Sequence, residues 1–268
     1  SGAPYEVHVT KAPGEGEAIA RERAGEASSL VAVGGDGTLH EVGNGLMQRA
    51  LIAGGPAPAL GWVPAGTGND LARTLGIPLS PRQALALILS GTLRRVDVGQ
   101  VNDRCFFNVS GVGFDARVAE AVSRRNGAHR GAFAYAAAAL RLLPRLENPY
   151  LELRGGDLCL GGRLLLVAVG NCRYYGGGML ICPQARADDG LLDVCVAGDL
   201  RRREVLRALG AAFRGSHVGL PKFGYHTLPE LEIDGPADVL VHADGQVVGT
   251  LPVRYKVLPG ALHFHCRP

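Results

Sequence analysis

The chain has 268 residues with an apolar fraction of 47% and a charged fraction of 20%, which excludes a disordered segment and leaves room for one large domain or two ordinary ones. Its 39 glycines follow no collagen period, so many must form turns and loops, some of them close to a ligand. A net charge of +3 is too small for a nucleic-acid binder, and no nucleic acid is expected as a partner.

In chain order, Tyr5–Thr10 alternates as a strand and Glu15–Ala27 reads as a helix. Leu30–Val33 is a short buried-type strand, followed by a glycine loop and a helix to about Met47. Leu60–Val63 is another strand, again followed by a glycine loop and a short helix stopped at Gly76, and Pro81–Ser90 is a further helix. Strand, loop and helix in repetition predict a parallel sheet with ligands at the carboxyl ends of its strands. An open sheet of this kind is expected to begin with a strand and phosphate loop before Tyr5, where the sequence has Ser1-Gly2-Ala3-Pro4.

From Val96 the texture changes. Short β-rich runs dominate, at Val96–Val101, Cys105–Val109, Tyr150–Arg154, Leu164–Val169, Leu192–Val196, Val239–Ala243, Val253–Leu258 and Leu262–Cys266. An Ala-rich helix, Ala132–Leu143, ends at Pro144, and a second helix runs from Arg203 to about Phe213. A mostly antiparallel second domain is expected, with a boundary near Thr92–Val96. Phe133, Leu140 and Leu143 of the Ala-rich helix are expected to pack in the core, with an acyl-chain wall as the alternative.

The six cysteines (Cys105, Cys159, Cys172, Cys182, Cys195 and Cys266) include no CxxC pair and lie mostly in apolar runs, so reduced, buried thiols are expected. The longest apolar run, near Gly131–Leu140, is half a membrane span, so membrane contact is expected to be peripheral. Arg201-Arg202-Arg203 with Arg207 and Arg214, and separately Arg124, Arg125, His129 and Arg130, form basic clusters. They read either as solvated helix faces or as attraction to anionic headgroups, worth about 1 kcal/mol per basic residue.

The strongest local signal is Gly34-Gly35-Asp36-Gly37-Thr38-Leu39-His40-Glu41. Glycines after a buried strand let the backbone approach a bulky anion. Thr38 and Glu41 stand at capping-box spacing, which predicts a helix start there, with N–H groups and a positive dipole end facing the loop. Asp36 beside a phosphate makes sense if a divalent cation lies between them or if it orders water around one; the plainer reading is a capped strand–helix turn. A second loop, Pro64-Ala65-Gly66-Thr67-Gly68-Asn69-Asp70, repeats the logic about thirty residues on. Two such loops on consecutive strands of one sheet converge on one crevice. No GxxxxGK[ST] or GxSxG occurs, and His263-Phe264-His265-Cys266 reads as a terminal strand rather than a metal site.

Those two loops, with Gly113-Phe114-Asp115-Ala116, Asn171, Tyr175-Gly176-Gly177-Gly178, Asp188-Asp189-Gly190-Leu191-Leu192-Asp193 and Asp244-Gly245, resemble the bacterial diacylglycerol kinase family. That family includes the YegS-like lipid kinases and is related to the sphingosine kinases. The resemblance runs from Tyr5 to the end. It implies an α/β, Rossmann-like nucleotide domain of the phosphofructokinase and NAD-kinase type in residues 1–95. Residues 96–268 would form a mostly antiparallel, β-rich lid domain, the last strands being candidates to return to the first. ATP and a lipid alcohol such as diacylglycerol would meet in the cleft between the domains, in a cytoplasmic enzyme peripheral to the inner face of the membrane; a homodimer is left open. Carried over residue by residue, Thr10, Gly35, Asp36, Gly37, Thr38, Leu39, His40, Glu41 and Thr67 would contact ATP, with Asn69 beside them. Asp36, Asp70 and Asp115 would form a water-linked network around a catalytic Mg2+, and Asp189, with the main-chain oxygens of Arg186 and Leu191, would hold a structural Mg2+.

The resemblance assigns catalysis to Asp36, Asp244 and residue 246, and at 246 the sequence departs from it. The family's proton acceptor is the glutamate of Asp-Gly-Glu; this chain has Asp244-Gly245-Gln246, and an amide does not accept that proton at neutral pH. Gln246 is then an engineered replacement, or another base serves, or the protein is a weak paralogue that binds nucleotide or lipid without turnover. Asp244 and His242 share a strand face by alternation, if the strand continues that far.

Overall fold

The computed structural model describes residues 4–54, 57–124 and 131–267. The chain divides into two units, one comprising the residues up to Val96 and those from Gly260 onward, the other Asp97–Pro259.

The first unit contains, in order, α1 (Glu15–Arg23), β1 (Ser29–Gly34), α2 (Asp36–Ala53), β2 (Ala59–Pro64), α3 (Asp70–Leu75) and α4 (Pro81–Leu89). β1 and β2 are parallel and in register from Ser29 opposite Ala59 to Gly34 opposite Pro64. Every residue of β2 is buried, which a parallel strand covered on both faces requires and an uncharged run supplies. The carboxyl-terminal residues return to this unit: Phe264 pairs in parallel with Leu60, His265 donates its N–H to the Leu60 carbonyl, and its ring is hydrogen-bonded to Ser29 Oγ.

Two expectations for this unit are corrected. Residues 4–10 form no strand: Tyr5, Val7 and Val9 alternate but are exposed, and among the described residues no strand pairs with them. Nor do Thr38 and Glu41 form a capping box. α2 starts at Asp36, with Gly35 as its cap, and the Glu41 carboxylate instead accepts the N–H groups of Gly14 (2.9 Å) and Gly16 (3.1 Å) at the start of α1. Gly14 caps α1 with a left-handed φ of 88° and no side chain, so a carboxylate from a neighbouring helix satisfies donors that α1 leaves open.

The second unit holds β3 (Arg94–Val101, entering from the first unit), β4 (Arg104–Phe106), β5 (Val109–Gly113), α5 (Phe114–Ser123), α6 (Ala132–Leu142), β6 (Tyr150–Gly155), β7 (Leu158–Arg163), β8 (Leu166–Gly170), β9 (Tyr174–Tyr175), β10 (Met179–Leu180) and β11 (Leu192–Ala197). It continues with α7 (Arg202–Ala212), β12 (Phe223–Leu228), β13 (Glu230–Asp234), β14 (Leu240–Ala243), β15 (Gln246–Thr250) and most of β16 (Val253–Phe264). Six strands in the order β12-β11-β8-β5-β14-β15 form one antiparallel sheet. β16, β13, β6 and β7 pair antiparallel in a second group. The core packs Val112, Val167, Val194 and Val241 from the first sheet with Leu151, Leu153, Leu231, Ile233 and Tyr255 from the second, as a sandwich requires of alternating strands.

A separate cluster joins α5, α6 and α7 through Phe114, Val118, Ala138, Ala139, Val205 and Ala208. Here the core expectation for the Ala-rich helix is also corrected. α6 packs through its alanines, leaving Phe133 at 86% exposure and Leu140 half exposed, while Leu143 alone of the three packs against the cluster. The basic residues Arg125, His129 and Arg130 lie outside the described residues; Arg124 pairs with Glu120 at 2.8 Å.

Candidate functional site

In the first unit the two glycine loops are one structure. Because β1 and β2 are in register, the chain leaves both strands at the same level, and Ala65 N–H still reaches the Gly34 carbonyl (2.8 Å), which also accepts from Trp62 Nε1 (3.0 Å). The Asp36 carboxylate then spans the loops: Oδ2 accepts Asn69 N–H at 2.7 Å and Oδ1 accepts Asp70 N–H at 3.0 Å. Asn69, with a left-handed φ of 51°, folds its amide back on Gly66, accepting its N–H (3.2 Å) and donating to its carbonyl (2.8 Å). The backbones approach so closely that a Cβ on Gly66 would stand 2.5 Å from Gly35 Cα, and one on Gly68 would stand 2.9 Å from Asp36 Oδ2.

Of the residues singled out in the sequence, Gly35, Asp36, Asn69 and Asp70 are therefore held together, with Thr67 exposed at the turn between Gly66 and Gly68. Gly37 and Thr38 sit in the first turn of α2, the Thr38 hydroxyl folded over Gly34. Leu39 and His40 are buried inside, His40 beside Asn44, and Glu41 is engaged with α1. Thr10 is exposed in the irregular stretch before α1 and has no hydrogen bond to either loop among the described residues.

In the second unit β14 stops at Ala243, and Asp244-Gly245 turn the chain into β15 with φ of 48° and 83°. Strand alternation therefore does not extend to Asp244, and it shares no strand face with His242. A two-residue turn with both φ positive reverses the chain at that point. The Asp244 carboxylate accepts three backbone N–H groups, from Phe107 and Asn108 (both 2.9 Å) and Val109 (3.2 Å), bracing the entry to β5. His242 is buried. Its Nδ1 accepts Gly245 N–H at 3.2 Å, so the neutral ring carries its proton on Nε2, which faces Asp115 Oδ2 at 3.5 Å. Asp115 Oδ1 accepts the N–H of Ala116, while Oδ2 is buried with no hydrogen-bond partner among the described residues. Gly111 makes room for this pair, since a Cβ there would overlap the Asp115 carboxylate. Gln246 follows the turn and opens β15.

Asp115 also lines an apolar cavity of about 70 Å3 that opens to solvent. Its walls come from Phe114, Val118, Ala139, Leu165, Val205 and Leu209, among others. Tyr135 and Tyr175 add phenol groups; Tyr175 stacks on the His242 ring (6.2 Å, 11°), and burial, then the Asp115 charge, push its phenol well above the ordinary range. The Tyr175-Gly176-Gly177-Gly178 motif is a hairpin turn whose three glycines all have positive φ. A Cβ on Gly177 would overlap the Ala132 N at the start of α6, so the motif brings that helix onto the cavity. Tyr135 and His217 were not legible as cavity residues, because neither stands at a spacing that marks it.

The Asp188–Asp193 motif is a turn closed by its own hydrogen bonds. Asp189 Oδ1 accepts Leu191 N–H (3.1 Å), Asp97 Oδ2 accepts Gly190 N–H (2.7 Å), and Arg186 pairs with Asp188 at 3.7 Å. Asp193 is buried, accepts Tyr225 OH at 2.8 Å, and is pushed up to about 6 by burial. No group of three or more His, Cys, Asp or Glu residues is arranged to hold a metal among the described residues. Asp189 Oδ1 and Asp97 Oδ2 thus both hold backbone N–H groups of this turn.

Residues 1–101 match the diacylglycerol kinase catalytic domain family, and residues 108–266 match the YegS C-terminal NAD kinase beta sandwich-like domain family. A probable lipid kinase YegS-like from Pseudomonas aeruginosa is 35% identical over 99% of this chain and 85% of its own length. A diacylglycerol kinase from Mycobacterium tuberculosis is 35% identical over 88% of this chain and 78% of its own length. The crystal structure of a diacylglycerol kinase from Bacillus anthracis superposes with a TM-score of 0.73 at 24% identity, over 97% of this chain and 84% of that one, which shows the shared fold.

Gly66→Ala should destabilise the protein by about 1–3 kcal/mol in urea denaturation, because the new Cβ meets backbone that has nowhere to move. Gly162→Ala, whose Cβ enters open space, should stay within about 0.5 kcal/mol of the parent. Equal effects at the two positions would contradict the close approach of the loops.

Proposed function

Since this chain belongs to the diacylglycerol kinase and YegS-like lipid kinase family, we propose that it transfers the γ-phosphate of ATP to the hydroxyl of diacylglycerol or a similar lipid alcohol, with Mg2+. The observation that carries the lipid acceptor is the apolar cavity with a buried carboxylate oxygen, Asp115 Oδ2, in its wall. A hydrocarbon chain gains from such walls, and a hydroxyl beside Asp115 has an acceptor for its proton. A soluble acceptor such as a dinucleotide has no use for a wall of this kind.

In this reading the nucleotide phosphates lie on the loops Gly34–Thr38 and Gly66–Asp70, where α2 directs its first-turn N–H groups and positive dipole end. The Asp36 oxygens already accept amide N–H groups, so Asp36, with Asp70 and Thr67, fits an Mg2+ ion through water, which that ion keeps readily. When bound, the ion would neutralise charge on the phosphates. Proton acceptance falls to Asp115. His242 has its Nδ1 lone pair engaged by Gly245, Asp244 is engaged by three amides, and Gln246 carries no acid–base group. The Nε2–H of His242 faces the same Asp115 oxygen at 3.5 Å. Gln246 favours a second reading, a protein that binds nucleotide or lipid without turnover.

A peripheral position on the inner face of the membrane fits the surface of α7. Arg203, Arg207 and Arg214 are exposed on the same face as the exposed Leu206 and Phe213, while the opposite face, Val205, Ala208 and Ala212, lines the cavity. No helix of the described residues is long and apolar enough to cross a membrane.

Two experiments test this. Phosphorylation of diacylglycerol in mixed micelles should fall about 100-fold or more in Asp115→Asn with the fold intact, and change less than about tenfold in Gln246→Glu. If Asp115→Asn keeps full activity while Gln246→Glu gains about 100-fold, the base is residue 246; ATP or lipid binding without turnover in either form supports the second reading. Sedimentation with phosphatidylglycerol vesicles should weaken about tenfold or more in Arg203→Gln/Arg207→Gln and in high salt. Unchanged binding would remove α7 from the membrane surface.

A further inference from the structure

The cavity lining contains a further polar residue that phosphoryl transfer does not use. His217 stands on the short 3-10 turn Ser216–Gly219 after α7, is 1% exposed, and lines the cavity. Its Nε2 lies 3.0 Å from the Ile181 carbonyl oxygen, and since a carbonyl only accepts, that nitrogen carries the proton. The ring is held edge-on against Phe223 (5.6 Å, 80°). Burial lowers its pKa, so the ring is neutral near pH 7 and Nδ1 presents a lone pair. That Nδ1 is buried and has no hydrogen-bond partner among the described residues. A plain hydrocarbon chain leaves it unsatisfied, and so does an ester, whose oxygens also only accept.

We propose that His217 Nδ1 is a specificity determinant that accepts a hydrogen bond from a second donor on the lipid alcohol, a hydroxyl or an amide N–H, so that the cavity selects such lipids over simple diacylglycerol. The proposal rests on the cavity being the lipid site. A site built around a buried acceptor discriminates strongly against an analogue that lacks the donor, because the acceptor is then buried unpaired.

Three matched probes separate the sources of the donor: the octanoate monoester of propane-1,3-diol, 1-octanoylglycerol, which adds a hydroxyl, and N-(3-hydroxypropyl)octanamide, which replaces the ester oxygen by N–H. In calorimetric titrations without nucleotide, at least one donor-bearing probe should bind about tenfold or more tightly than the ester. The preference should shrink to within about twofold in His217→Leu and His217→Phe. Equal binding of all three probes, or a preference that survives in a folded variant, overturns the proposal while leaving a lipid site in place. No binding of any probe overturns both. Should neither variant fold, the Nδ1 resonance of His217 in 15N NMR decides: it should shift with the preferred probe and not with the ester, and no difference overturns the proposal.

Discussion

The carboxylate of Asp36 is the interaction on which the first unit depends. It accepts two consecutive backbone N–H groups, from Asn69 and Asp70, across about thirty residues of sequence, and fixes two loops that glycine alone would leave loose. The close approach of Gly35 and Gly66 leaves no space for side chains, the parallel register delivers both loops to one level, and Asn69 closes the second turn on itself. An Asp at this place is therefore a staple before it is anything else. Whatever anion the loops receive meets backbone N–H groups and a helix end, with the negative charge of Asp36 already committed to the frame.

The second unit uses the same residue type in two other ways. Asp244 braces a hairpin turn against β5 with three amide N–H groups, whereas one oxygen of Asp115 has no hydrogen bond among the described residues and is faced by His242 Nε2 at 3.5 Å. The difference follows from local backbone. Asp244 is in a left-handed turn directed at the loop before β5, and Asp115 is in the first turn of α5, next to a largely apolar cavity. Replacing the glutamate expected at 246 by glutamine need not remove a base from such a site, because the carboxylate in the cavity wall is another residue.

The parallel strands, both glycine loops and the antiparallel second half were legible in the sequence because their signals are local: uncharged runs, glycine clusters and short alternating segments. What escaped depends on partners far along the chain. Tyr5–Thr10 alternates well but finds no strand to pair with among the described residues, and Glu41 caps a different helix from the one its spacing indicated. Phe133 faces outward because alanines, not the large side chains, make the contact surface of α6. His242 and Asp244 are separated by a turn that two residues, Asp-Gly, announce and that a strand pattern overrides on paper. His217 and Tyr135 carry no motif; only the folded cavity gives them a place.

Hydrogen exchange read by mass spectrometry in the presence of ATP and Mg2+ tests the shared cradle most directly. The account predicts that the amides of residues 35–38 and 66–70 gain protection together, at one nucleotide concentration, and lose it together in Asp36→Ala. Protection confined to one loop, or nucleotide-dependent protection elsewhere with both loops unchanged, would contradict it.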